Sequence, residues 1–133
     1  MLKPNYDIKA LKSILEMEER VTFAYLFGSV ARKENNVLSD IDIAVYLCDN
    51  CELAAAKLDI IGKMMELLGD DCFDLVILNI APLPLAARIV SCREILVDRE
   101  PFLRQRYESQ ILREYFDFSR LENAILNRRY ALG

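Results

Sequence analysis

Gly28-Ser29-Val30-Ala31-Arg32-Lys33-Glu34-Asn35-Asn36-Val37-Leu38-Ser39-Asp40-Ile41-Asp42 is the stretch that decides the fold. An apolar run, Val21-Thr22-Phe23-Ala24-Tyr25-Leu26-Phe27, leads into it, and a second, Ile43-Ala44-Val45-Tyr46-Leu47, leaves it. Both runs predict buried strands. Residues i and i+2 of a strand point to the same face, so Asp40 and Asp42 project together while Ile41 turns away. Two neighbouring carboxylates repel unless a cation sits between them. Mg²⁺ is the natural choice, a hard ion that prefers oxygen and keeps sites for waters and substrate phosphates. The Gly28-Ser29 turn supplies a complementary part, because backbone N–H groups opening a short helix over 29–33 cradle phosphate oxygens. Together these parts point to phosphoryl or nucleotidyl transfer.

Composition narrows the chemistry. The chain has 133 residues, enough for one domain with a real core. No apolar stretch reaches membrane-spanning length and the N-terminus carries no signal-peptide pattern, so a cytoplasmic protein is expected. A formal charge of −4 argues against general nucleic-acid binding. Histidine is absent, which excludes Ser-His-Asp and Cys-His catalysis and the common His-containing zinc sites. Cys48-Asp49-Asn50-Cys51 is formally a C-x-x-C, but Cys72 and Cys92 do not form the second pair of a zinc ribbon. Reduced, non-catalytic cysteines are the expected state.

Along the chain, Asn5 or Asp7 caps a first helix to about Glu18, and strands follow over 21–27 and 41–47. A helix over 52–68 stops at Gly69, a third strand covers 72–78, and Pro82 and Pro84 open a helix to Val90. A fourth strand over 94–97 precedes a final helix over 102–119, with a second helical piece up to Tyr130. The expected fold class is α/β (α+β): a small mixed β-sheet covered by helices in two layers. Residues 1–133 form a single domain, with a core over about 20–98 and a C-terminal helical segment over about 101–133.

Gly28-Ser29, ten residues, then Asp40-Ile41-Asp42 resembles the signature of the DNA polymerase β-like nucleotidyltransferase superfamily. Phe27-Gly28-Ser29-Val30-Ala31-Arg32 with Ser39-Asp40-Ile41-Asp42 is similar to its minimal nucleotidyltransferase (MNT) branch, over roughly residues 20–98. Lys33 departs from the pattern, standing where many relatives place a glycine. The resemblance implies Mg²⁺ held by Asp40, Asp42 and a third acidic residue on a neighbouring strand, for which Asp74 is the matching position. Asp74 interrupts an apolar strand, where a buried aspartate needs a partner or metal; by itself it also fits a water-facing residue at a sheet edge. ATP is the implied substrate, its phosphates cradled by Gly28 and Ser29. Arg32 either reaches the triphosphate or pairs with Glu34, and Lys57 is a more remote candidate.

MNT proteins pair with HEPN-domain proteins as toxin–antitoxin systems. The resemblance therefore implies an antitoxin that transfers AMP from ATP to a tyrosine of the HEPN ribonuclease toxin. Two alternatives stand beside this reading: a non-catalytic antitoxin that masks its toxin sterically, and a small-molecule nucleotidyltransferase of the antibiotic-modifying type. Larger relatives carry an acceptor-binding helical domain that the stretch after Val97 is too short to supply. The aromatic and arginine-rich segment after Ser119, with Leu121, Ile125 and Tyr130, is the expected docking surface for a partner.

Overall fold

The computed structural model describes residues 8–28, 41–68 and 73–132, without the side chains of 68 and 129–132. Its elements in order are α1 (Ile8–Met17), β1 (Val21–Phe27), β2 (Ile41–Leu47), α2 (Leu53–Leu68), β3 (Phe73–Ile77), α3 (Leu83–Ser91), β4 (Glu94–Asp98) and α4 (Pro101–Leu132). A single 3₁₀ turn, Leu78–Ile80, follows β3. Strand order is β3-β2-β1-β4. β1 pairs antiparallel with β2 and with β4, whereas β2 and β3 run parallel. The sheet is mixed, as expected.

Every residue of β1 is buried, because β1 is interior to the sheet and both of its faces are covered. Leu11 and Leu15 of α1 and Ala56, Ile60 and Met64 of α2 pack with Ala24, Leu26, Ile43 and Val45 on one face. Phe23, Tyr25, Phe27 and Ala44 turn the other way, onto Ile89 and Val90 of α3 and Leu103, Tyr107 and Ile111 of α4. Helices thus lie on both sides, and the expectation of two layers is corrected to three. An all-apolar strand demands this, since alternate side chains of VTFAYLF would otherwise meet water. Burying each large apolar side chain contributes roughly 1.5–3 kcal/mol.

Aromatic packing fixes α4 on its face. Phe23 stacks on its cross-strand partner Tyr46, with ring centroids 4.8 Å apart. Tyr107 meets Tyr46 edge-on at 5.3 Å. A polar cluster reinforces the contact. The Tyr25 hydroxyl donates to Glu108 Oε2 at 2.6 Å, and Arg93 Nε donates to the same oxygen at 2.9 Å. Arg104, one turn earlier on α4, pairs with Glu108 at 3.2 Å and with Asp98 at 3.0 Å. Burial raises the Glu108 carboxyl, but hydrogen bonds from Arg93 and Tyr25 outweigh it, and the net shift is downward.

Two boundaries depart from expectation. Leu78 belongs to the 3₁₀ turn rather than to β3. There the Asn79 side chain accepts from the Leu47 N–H at 2.8 Å and donates to the Leu47 carbonyl at 2.9 Å, taking over the backbone pairing at the end of β2. The C-terminal segment is one helix of 32 residues, with no break at Ser119. It contains no glycine or internal proline to interrupt it.

Candidate functional site

β1 ends at Phe27, which lies opposite Asp42 in the antiparallel ladder. Gly28 follows with φ +79°, a conformation that L side chains rarely adopt. Its α-carbon faces the Asp42 carboxylate closely. A Cβ added there would stand 3.1 Å from Asp42 Cγ and closer still to Oδ2. Glycine is therefore required twice, by the backbone turn and by the carboxylate packed against it.

Asp42 pairs directly with Asp74 in the parallel β2–β3 ladder. Neighbouring strands lie about 4.8 Å apart and in-register side chains share a face, so the two carboxylates stand side by side. That face is the α3/α4 side, since Ala44, Tyr46 and Val76, which follow at even spacing, pack there. Asp42 is half-buried and Asp74 exposed. The argument that Asp74 is a buried aspartate in need of a partner is thereby corrected: it sits on edge strand β3, open to water. Its register with Asp42 is the better reason to place it in the site. Beside it, a cleft of about 260 Å³ opens between α2 and β3, lined by Lys57, Ile61, Met65, Phe73, Asp74 and Leu75.

Gly28, Asp42 and Asp74 thus converge at one end of the sheet. Ser29, Arg32 and Asp40 lie outside the described residues, as do Lys33 and Glu34. Among the described residues no cluster of three or more metal-ligating side chains occurs. The donor set that is described, two adjacent carboxylates with open access from the β3 edge, fits a hard divalent cation that keeps further oxygen ligands. The C-x-x-C lies beyond the opposite end of β2. Cys51 Sγ donates to the Cys48 carbonyl at 3.3 Å, and burial pushes its thiol up, away from the reactive thiolate.

Sequence reasoning missed the Tyr25–Glu108–Arg93–Arg104 cluster. A tyrosine in an all-apolar strand, together with the i, i+4 pair Arg104 and Glu108, was the available signal.

No curated protein sequence matches the chain. Solved structures resemble it throughout. A chain from a toxin–antitoxin structure with AMP-PNP superimposes with a TM-score of 0.75 at 23% identity, covering 93% of this chain and 98% of that one. A chain from the complex of tri-AMPylated Shewanella oneidensis HEPN toxin with MNT antitoxin gives a TM-score of 0.68 at 22% identity, covering 92% and 95%. A chain from the MntA–HepT toxin–antitoxin structure gives 0.67 at 22%, covering 92% and 96%. At these identities the likeness is one of fold. The family model Polymerase beta, Nucleotidyltransferase matches residues 9–102, which contain both carboxylates and the Gly28 turn. The chain belongs to the polymerase β nucleotidyltransferase family.

Proposed function

We propose that this chain is a Mg²⁺-dependent nucleotidyltransferase and the antitoxin of a HEPN/MNT pair, transferring AMP from ATP to a tyrosine hydroxyl of its partner HEPN ribonuclease and so neutralising it. The observation that carries the reading is the register of Asp42 with Asp74, on one face and beside the Gly28 turn. Likeness of fold to chains of toxin–antitoxin structures, one with AMP-PNP and one with tri-AMPylated HEPN toxin, supports the choice of nucleotide and acceptor.

Asp42 and Asp74, with Asp40, would hold Mg²⁺. When bound, the ion neutralises phosphate charge and lowers the pKa of an oxygen bound to it. The chain's own residues supply the rest. Gly28 turns the chain beside the Asp42 carboxylate, and backbone N–H groups after it, with the hydroxyl of Ser29, would receive phosphate oxygens. Asp74, open to water on the edge strand, is where an incoming tyrosine hydroxyl has access, and a carboxylate there can accept its hydrogen bond. The hydroxyl oxygen attacks the α-phosphorus, a P–O bond forms, and pyrophosphate leaves. The phenolic proton passes to solvent or to a carboxylate.

The test is incubation of the pure chain with α-phosphate-labelled ATP and Mg²⁺, with and without the HEPN-domain product of the neighbouring gene. Label on a tyrosine of the HEPN protein is the expected result. Inhibition of the ribonuclease without label would establish steric masking instead, and a labelled small molecule would establish the third reading.

A further inference from the structure

In the second half of α4 the large apolar side chains from Leu112 to Leu126 are left uncovered by the described residues. Ile111 is the last of its residues to pack on the sheet. Beyond it Leu112, Tyr115, Phe116, Phe118, Leu121 and Ile125 are 37–62% exposed. Phe118, Leu121 and Ile125 follow one another at spacings of three and four, a continuous stripe along one face. Together with Leu112, Tyr115, Phe116 and Leu126, which lie around more of the helix circumference, these side chains present on the order of 700 Å² of surface, about half of it on the stripe, so a partner that wraps this part of the helix would gain close to the roughly 800 Å² that each side gives to a standard protein interface. A helical projection of ~30 Å, at 1.5 Å per residue, is marginal in water without such cover.

The direction of the helix places its free half relative to the carboxylates. Near its start Arg104 pairs with Asp98, which lies opposite Phe23 early in β1. One turn later Glu108 takes the Tyr25 hydroxyl and the guanidinium of Arg93, the residue before Glu94, which itself pairs with Leu26. α4 therefore travels along β1 in the same sense, toward Gly28. Its free half runs out past the end of the sheet that carries Gly28, Asp42 and Asp74, and from the same face.

We infer that this free half of α4 is the docking surface for the acceptor protein, holding it where its hydroxyl reaches the carboxylates. The inference rests on the reading of the chain as a transferase acting on a protein. A protein acceptor needs an anchor far larger than one side chain, and this half of the helix runs past the site and is apolar around much of its circumference.

The test uses the full chain carrying Leu121→Glu with Ile125→Lys, both replacements being good helix formers. Three quantities are read: affinity for the HEPN-domain protein, AMP transfer to it, and the melting temperature with and without ATP and Mg²⁺. Affinity is expected to fall at least a hundredfold. Transfer should fall in proportion at limiting partner and recover at high partner concentration, while the nucleotide-induced melting shift is retained. If helix content drops in the double variant, Phe118→Ala with Leu121→Ala and Ile125→Ala repeats the measurement, with at least a tenfold loss expected. Unchanged affinity overturns the inference, as does a wild-type homodimer that the substitutions dissociate while partner binding persists. The two readings fail separately. Wild-type chain that binds through α4 yet never labels the partner sinks the transfer reaction and leaves the docking surface. Variant chain that labels the partner as well as wild type at limiting concentration does the reverse.

Discussion

Gly28 packs its bare α-carbon against the Asp42 carboxylate, at the point where β1 ends and β2 begins. The contact ties the turn proposed to face phosphate to the carboxylate proposed to hold the metal, through a single residue without a side chain. Gly28→Ala should therefore cost more than its volume suggests. Positive φ alone is worth about 1–2 kcal/mol for alanine, and its Cβ would displace Asp42. A lower melting temperature, together with loss of AMP transfer beyond a hundredfold, is the expected pair of results. Wild-type activity in this variant would show that the turn does not position Asp42.

Asp42→Asn and Asp74→Asn should separate chemistry from folding. Asp74 is exposed on the edge strand, so its replacement should leave stability within about 0.5 kcal/mol. Transfer should nevertheless fall about a hundredfold or more, because a charged oxygen ligand is lost. Asp42→Asn should be at least as damaging. Steady-state transfer at several Mg²⁺ concentrations checks this, and an Asp74→Asn enzyme with normal rate and normal Mg²⁺ dependence would remove Asp74 from the site.

Glu108 joins α4 to β1, and the two ends of its contacts should not be equivalent. Tyr25→Phe removes one hydrogen bond, about 1 kcal/mol, more because the acceptor is charged. Glu108→Ala leaves the guanidinium of Arg104, only 8% exposed, without its carboxylate on α4. Arg104 keeps Asp98 at 3.0 Å, so the loss is that of charged hydrogen bonds rather than of a charge's only partner, about 1.5–3 kcal/mol. Denaturant unfolding of both variants, with Glu108→Ala clearly the less stable, is the outcome expected.

Glu18 predicts a pH dependence. Its buried carboxylate accepts from Arg20 Nε at 2.7 Å and from Lys63 Nζ at 3.0 Å. The Arg20 hydrogen bond, helped by Lys63 and opposed by burial, holds its pKa at about 2, below the ordinary 4.5. A folded-state pKa below the unfolded value means stability that is fully present above pH 4.5 and lost as pH falls toward 2. Glu18→Gln should thus be less stable than wild type at pH 7, and the gap should close across that window. A gap independent of pH between 7 and 2.5 would show that the ion pairs contribute nothing.

Much of the fold is legible from local pattern. The runs VTFAYLF and IDIAVYL are too apolar and too short for anything but buried strands, and both form where periodicity puts them. Pro82 and Pro84 set the start of α3, which begins at Leu83. Errors arise where tertiary contacts override local signals. Leu78 continues an apolar run, yet the chain turns there because Asn79 is captured by Leu47. α4 stays helical through Ser119 because nothing in its sequence breaks it, although its large apolar residues from Leu112 to Leu126 find no cover among the described residues.

By itself the sequence determined the chemistry on offer: a glycine turn after one buried strand, carboxylates opening the next, and no histidine to support other catalysis. Those are local facts, set by spacing of two along a strand and by the conformational freedom of one glycine. Only the tertiary structure decided that Asp74 stands beside Asp42, because register between parallel strands depends on how α2 packs back across the sheet. It alone decided that both faces of the sheet are covered, and that α4 leaves the domain past the carboxylates. Pairing between residues distant in sequence is fixed by the sum of many burial contacts, and no local pattern encodes that sum.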